Sequence, residues 1–579
     1  MKAKRLFSLL AAGILCFTAL AGCSKDTASS GSEPVSSTTE DKGDDSKEAE
    51  DSKETEESDE SGESSIGGEE PVDLGDTPSW RADTSPMTIE WFAAFDWYAK
   101  SFDPVNNMAD KALLEETGIT INYTTGDLDK LNALIISGSM PEVMTFEAVA
   151  PQRLQLENGG LVENLDELTA DFAPDLNVPQ SQKDWYRNED GNWYSIISYY
   201  YGPERTSEEY GGFLVTHNSN FVRTDILEQI GMTMDDLHTK EGFYDALKAV
   251  KDQNIQYDGL EVIPLTGVYA SHMAEQFGAQ REDEEGNLLD IKMQPEYLEA
   301  LKYYNKMYND GLIREDEFTN ETPQRDQLVA SGQVFMSQGW MTVKQPRGAL
   351  YASDQNAKIM YAGTIDKGDN GRDHYLTSVN SGGWTSTVIT KNAENPGRIM
   401  TLFSYLSQDG VTLDEEYGHG CYDIVDGLVV RKPEAEKEYE EDYNAAYNKY
   451  NMNNGYIVDY TINQKYENPV VDNVLEQDRI NMERDKDQRI FDDKCFTDVQ
   501  PLAGTDLAAV KVQLDDYWET MEPQMIMAAT EEECEKLYNE AIEQWKLMGY
   551  DALYESQNER FKENKAKLDL EFAWPSLQK

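Results

Sequence analysis

Between residues 87 and 147 the hydrophobic period changes repeatedly between two and nearly four, which narrows the fold more than any other feature of the sequence. Met87-Thr-Ile-Glu-Trp-Phe-Ala alternates and is rich in β-formers, so it reads as a strand. Asp103-Pro104 places a capping residue before proline at a first helical position, and a helix is expected from there to Gly118. Ile119, Ile121 and Tyr123 alternate again. Leu128, Leu131, Leu134 and Ile135 keep helical spacing until Gly138 and Pro141, and 142–146 reads as a third short strand. Strand, helix, strand, helix, strand implies a parallel sheet with right-handed crossovers. Ligands of such sheets bind beyond the carboxyl ends of the strands. That singles out Phe95, Asp96 and Trp97 after the first strand, and Phe146 and Glu147 at the end of the third.

Further along, 221–230 and 242–251 read as helices, and 295–309 as an amphipathic helix with Leu298, Leu301, Tyr304 and Tyr308 on one face. Segments 333–337 and 384–390 read as strands after glycine-containing turns, and 531–548 as a helix. No tandem repeat is visible. A body of roughly 500 residues is large for one core, so a two-lobed α/β protein is expected.

The start of the chain has a different character. Lys2, Lys4 and Arg5 precede an apolar run from Leu6 to Leu20, and Leu20-Ala21-Gly22-Cys23 closes it. The run is short for a bilayer span and reads as a secretory signal peptide over 1–22. Small residues ahead of cysteine suit a lipoprotein signal peptidase, which makes Cys23 the expected lipidated N-terminus, held by more than one acyl chain. An ordinary signal with an incidental cysteine is the competing reading. From 24 to 79 there are 19 acidic and 4 basic residues, a net of −15, with almost no large apolar side chain. Such a segment cannot bury enough surface to offset its ordering entropy, so 23–85 is expected to be an anchor and disordered acidic linker. A flexible chain of that length spans roughly 40 Å.

Composition excludes several partners. With 50 Lys plus Arg against 110 Asp plus Glu, the formal charge is −60. That field disfavours nucleic acid and anionic headgroups, leaving the N-terminal lipid as the only expected membrane contact. Cysteines 16, 23, 421, 495 and 534 are too few and too irregular for a disulfide framework or a zinc cluster. No H-E-x-x-H, G-x-S-x-G, P-loop or G-x-G-x-x-G motif occurs, and the five histidines lack metal-ligand spacing. No catalytic residue, metal site or cofactor is therefore expected. A hydrolase using two distant carboxylates would leave no such motif. Residues 252–261, Asp-Gln-Asn-Ile-Gln-Tyr-Asp-Gly-Leu-Glu, space oxygen ligands like a calcium loop but carry Tyr257 where glycine is needed. A helix-to-strand turn is the simpler reading.

Aromatic residues carry more information. Trp185, Tyr186, Trp193, Tyr194, Tyr199, Tyr200 and Tyr201 fall within 17 positions, while Trp340 and Trp384 each follow glycine beside a strand. A sugar ring offers an apolar C–H face and a polar rim, which flat aromatic side chains flanked by carboxylates or amides can bind. The candidate ligand-contact set is Phe95, Asp96, Trp97, Glu147, Tyr199, Tyr200, Trp340, Trp384 and Tyr422.

Several blocks in order resemble the large family-one extracellular solute-binding lipoproteins of Gram-positive carbohydrate ABC importers. Glu115-Glu-Thr-Gly-Ile-Thr-Ile-Asn-Tyr and the stretch from Leu131 to Ser137-Gly-Ser-Met-Pro-Glu-Val are similar to that family's opening segment. Gly160-Leu-Val-Glu-Asn-Leu-Asp, Asp190-Gly-Asn-Trp-Tyr and the segment from Leu298 to Gly311 resemble its next blocks, followed by Leu328-Val-Ala-Ser-Gly-Gln-Val-Phe-Met. Gly382-Gly-Trp and Asn395-Pro onward look like its return to the first lobe. The resemblance implies a two-lobed, periplasmic-binding-protein-like type II fold, with doubly wound sheets joined by hinge strands. It implies a first lobe of 86–212 plus 377–430 and a second of 213–376 plus 431–579. It further implies a monomer on the extracellular face of the cell membrane that closes over a sugar or oligosaccharide and presents it to ABC permease subunits. Trp340 occupies the place where family members carry a stacking tryptophan. A surface glycan hydrolase or lyase, or a receptor for a non-sugar solute such as a peptide, are the alternatives.

Overall fold

The structure, a computed structural model, describes residues 74–97, 100–206, 216, 218, 220–338, 344–378, 381–452, 455–457, 459, 462–466 and 489–578. Cys23, the signal segment, residues 23–73 of the expected linker and Trp340 lie outside them, but 74–85 do not. Ser79 is buried and Trp80 packs on Tyr405 at 5.9 Å, so the folded body starts before the expected residue 86.

Two sheets organise these residues. Strands β1 (Met87–Ala93), β2 (Ile119–Thr125), β3 (Val143–Glu147) and β4 (Ile196–Ile197) belong to the first. The second holds β5 (Asn220–Arg223), β6 (Ile263–Thr266), β7 (Val334–Gln338) and β8 (Ile359–Gly363), after which β9 (Thr385–Ile389) returns to the first. The first sheet runs β2-β1-β3-β9-β4. Its β1 is parallel to β2 and β3, as the alternating periods imply, with Met87 opposite Ile119 and Trp91 opposite Val143. The long-range strand β9 enters antiparallel between β3 and β4, pairing Thr385 with Glu147 and Thr387 with Ile196. The second sheet runs β8-β5-β7-β6, with only β6 and β7 parallel.

The helices Met108–Thr117 and Leu128–Ser137 connect the first three strands. The first begins at Met108, four residues after the expected Pro104, because Asn107 is its cap and accepts from the Asp110 backbone. Asp103 instead accepts from the Val105 and Asn106 amides and closes a turn. Segment 221–230 opens as a strand, not a helix. β5 finds partners on both sides, and the helix Thr224–Gln229 starts only afterwards.

Each sheet has its own core. Ile89, Trp91, Ile119, Val143, Leu165, Ile389, Ile399 and Phe403 pack together around the first. Met452, Tyr456 and Ile457 join them, which carries the first lobe's packing past the 430 boundary inferred from sequence. Around the second sheet, Phe243, Leu247, Leu265, Phe277, Leu301 and Phe335 meet Leu514, Trp518, Cys534 and Trp545 from the C-terminal helices. The helix Pro295–Asn309 spans the expected residues. Its Tyr297 hydroxyl accepts from the Trp518 indole at 2.8 Å. Trp574 is buried near the end of the chain, where its backbone nitrogen and that of Ala573 each donate to the buried Glu282 carboxylate at 2.8 Å. Lys565 pairs with the same carboxylate at 2.5 Å.

Candidate functional site

The carboxyl ends of β1 and β3 and the amino end of β9 share one edge of the first sheet, because β9 runs antiparallel to β3. Phe95 leaves β1 buried at 3% exposure, and Trp97 two residues later is 69% exposed. Trp384 precedes β9 and is held by its backbone. It donates to the Ser198 carbonyl at 2.9 Å and accepts from the Ala148 amide at 2.9 Å. Gly383 makes this possible. It has φ +94°, and a Cβ there would lie 2.0 Å from the Ile197 side chain. The Tyr186 hydroxyl donates to the Gly382 carbonyl and fixes the same turn from behind.

These backbones bring four rings together. Phe95 lies 5.4 Å from Trp384 and 5.9 Å from Trp97, and the two indoles are 6.0 Å apart at an interplanar angle of 35°. Tyr199 meets Trp384 edge-on at 5.6 Å. It does so with φ +56°, a left-handed conformation that costs a bulky residue of order 1–3 kcal/mol and that clusters at ligand clamps. Beneath the platform, Phe95 stacks on Tyr456 at 6.3 Å, and Tyr456 lies 6.1 Å from Trp91 in the core. Aromatic contacts thus run from the sheet interior to an indole in solvent.

The polar groups at this edge are acidic. Asp96 is exposed beside Trp97. Glu147 lies opposite Thr385, and although solvent reaches its side chain, desolvation by the surrounding protein raises its carboxyl above the usual carboxylate range. Lys100 is buried with its ammonium 6.0 Å from the Tyr456 ring centroid, and burial lowers it to about 8 despite the nearby Glu415 charge. An aromatic platform edged by carboxylates binds rings with an apolar face and hydroxyl rim.

Residues 108–409, just over half the chain, match the family described as bacterial extracellular solute-binding protein. The chain belongs to that family. A curated relative of this solute-binding protein is lipoprotein LipO of Bacillus subtilis (strain 168), 24% identical over 318 residues. The match covers 52% of this chain and 59% of LipO, so it spans less than two thirds of that relative's length. Among solved structures, alginate-binding protein AlgQ2 has a TM-score of 0.61 at 18% identity, covering 83% of this chain and 98% of its own. FusA of S. pneumoniae, solved with kestose, has a TM-score of 0.59 at 14% identity over 83% of this chain and all of FusA. These likenesses confirm the two-lobed type II fold.

Not every sequence candidate joins the platform of this solute-binding protein. Tyr200 is buried in the first core. Its hydroxyl donates to the Ser181 carbonyl at 3.1 Å and its ring meets Tyr186, so it supports the fold instead of facing a ligand. Tyr422 sits on the hairpin 422–431 and packs with Leu413, Tyr417 and Val429. Its hydroxyl bonds Asp414 at 3.1 Å, and none of those residues belongs to the platform. Of the seven clustered aromatics at 185–201, Trp185, Tyr186 and Trp193 join Tyr200 in the first core, and Tyr201 is buried with Phe221, Val334 and Ile359 beside the second sheet. Tyr456 and Lys100, which sequence reasoning missed, carry no local signal, because their role comes from packing against distant residues. Within segment 252–261, Asp252 ends a helix and 256–261 form a two-strand hairpin through the left-handed Asp258-Gly259 turn, with the Tyr257 ring 4.6 Å from the Arg223 guanidinium. Among the described residues no group of three or more His, Cys, Asp or Glu side chains is placed to hold a metal ion. Cys421, Cys495 and Cys534 are buried free thiols.

Proposed function

We propose that this protein is a lipid-anchored, monomeric, non-catalytic extracellular receptor. In this reading it takes up a sugar or oligosaccharide between its two lobes and passes it to the permease subunits of an ABC importer. The observation that carries this reading is the platform of Phe95, Trp97, Trp384 and Tyr199, with an indole left largely in solvent. Trp97 and Trp384 would stack on pyranose or furanose faces, and Asp96 and Glu147 would accept hydroxyl hydrogens. The names of AlgQ2 and FusA, an alginate-binding protein and one solved with kestose, support the ligand class. The acidic edge favours a neutral glycan over a uronate. Trp340 is retained as the second lobe's stacking partner, and Cys23 as the anchor that keeps the receptor at the outer face of the membrane. Lobe closure is then a population shift, driven by contacts the ligand makes to both lobes.

The test is thermal unfolding of the full chain against mono- and oligosaccharides. A ligand at 100 times its Kd adds roughly 2.7 kcal/mol to the folded state. One class of glycan raising the midpoint supports the reading, and silence across the panel with a response to peptides overturns the sugar assignment. New reducing ends on incubation with the responding glycan would overturn the non-catalytic part. Cys23→Ala should release the chain into the medium.

A further inference from the structure

Among the described residues the chain passes between the two cores three times. It leaves β4 of the first sheet and enters β5 through Thr216 and Asn218, then returns from β8 to β9 through 364–384. A third passage, 489–498, follows the last residues of the first core and precedes the C-terminal helices of the second. Buried polar groups tie all three together. Thr216 donates to the Thr377 carbonyl at 2.8 Å, and Asn218 donates to the Thr377 hydroxyl at 2.8 Å. Strand Leu376–Thr377 lies parallel to Ile490–Phe491, with the Leu376 amide on the Arg489 carbonyl and the Ser378 amide on the Phe491 carbonyl, both at 3.2 Å. Two residues beyond Phe491, the buried Asp493 accepts from the Ser378 hydroxyl at 3.0 Å and from the Ser381 hydroxyl.

We propose that Asp493 is a proton-operated latch on the hinge, whose ionisation weakens the junction of the second and third passages and so frees the lobes to move against each other. The groups facing it come from several elements. Ser378 and Ser381 stand on the return passage, Arg281 on the loop after helix Ala270–Gln276, and Asp492 immediately before Asp493, just past strand Ile490–Phe491. Arg281 is engaged by Glu275 at 3.0 Å, and Lys494 by Asp492, so neither cation is given over to Asp493 alone. Burial pushes the Asp493 carboxyl up to about 6, against the serine hydroxyls and Arg281, which favour the ionised form. An opened, hydrated hinge returns it toward 3.8. The intact junction therefore binds the proton more tightly. Its extra stability is fully present below 3.8 and is lost as pH rises through about 6.

Hydrogen exchange of the Leu376 and Ser378 amides in the full chain reads the junction directly, with amides of β1 as internal reference. Intrinsic amide exchange rises about tenfold per pH unit, and protection reports local opening. Between pH 5 and 7.5 the wild type should exceed that slope by about tenfold in total, the equivalent of one pKa unit. Asp493→Asn should follow the intrinsic slope alone, although Asp110, pushed up to about 6 by burial, and His419, raised by its bond to Asp414, still titrate in it. Ser381→Ala, which removes a donor to the ionised form, should enlarge the excess, and this variant decides the matter if Asp493→Asn does not fold. A wild type without excess, an excess surviving in Asp493→Asn, or one unchanged in Ser381→Ala overturns the latch. The measurement needs no ligand, so its failure would leave the receptor reading standing.

Discussion

An indole left 69% exposed, as at Trp97, keeps apolar surface in water that a bound ring can cover. Trp97→Ala should weaken binding of the glycan found by thermal unfolding at least about tenfold, or about 1.4 kcal/mol, while the unfolding midpoint without ligand stays close to wild type. Isothermal titration checks it, and unchanged affinity removes Trp97 from the site. Tyr200 makes the opposite case. Tyr200→Phe loses a buried bond to the Ser181 carbonyl, so urea unfolding should show about 1 kcal/mol less stability with no change in affinity. In sequence, Tyr200 and its neighbour Tyr199 are indistinguishable members of one aromatic cluster. What separates them is burial: Tyr199 turns outward through its left-handed backbone, whereas Tyr200, one residue later, points into the core. Phe95, Trp97 and Trp384 were legible because a strand's end fixes where its next residues emerge. Tyr456, the ring beneath them, was not legible, since nothing near it in sequence announces a partner more than 300 residues away.

At the scale of elements, the turn before β9 positions Trp384 through a single permissive residue. Gly383→Ala adds a Cβ against Ile197 at φ +94° and should cost on the order of 1–3 kcal/mol. Ligand affinity should fall in the same variant, because Ser198 and Ala148 no longer hold the Trp384 backbone in place. Affinity equal to wild type in folded protein would show that the turn does not position the ring. A second element responds to pH. The His419 ring follows helix Asp409–Tyr417 and bonds the Asp414 carboxylate at 2.6 Å, which raises it above its ordinary 6.5 against the effect of burial. Its contribution to stability is complete below 6.5 and is lost as pH rises through the raised value. His419→Asn should remove that loss from a series of unfolding curves between about pH 6 and 8. Helical spacing made segments 128–137 and 295–309 legible from one end to the other. It failed at 221–230, where apolar residues are equally compatible with a short buried strand and only β7 and β8 decide the matter.

At the scale of the molecule, the pair Glu282–Lys565 is buried, and it fastens the chain's last turn to the second lobe through the Ala573 and Trp574 amides. Lys565→Met leaves that carboxylate without its cation and should cost about 3–5 kcal/mol in urea unfolding. A loss below about 1 kcal/mol would mean that the backbone amides alone suffice. The two-lobed plan was legible from the order of family-like blocks. The reach of the first core to Ile457 was not, because 452–457 carries no period of its own.

That discontinuity has a consequence for biogenesis. The first core waits for Tyr456 and Ile457, and the second waits for Trp545 and the clamp on Trp574, so neither lobe can be completed from the N-terminal part of a nascent chain alone. A polypeptide threaded through an export channel from its N-terminus would therefore remain without a finished first core until Ile457 had crossed, and without a finished second until Trp574 had followed. Such a delay would keep an exported chain slender enough for a pore and would leave assembly of both lobes to the far side.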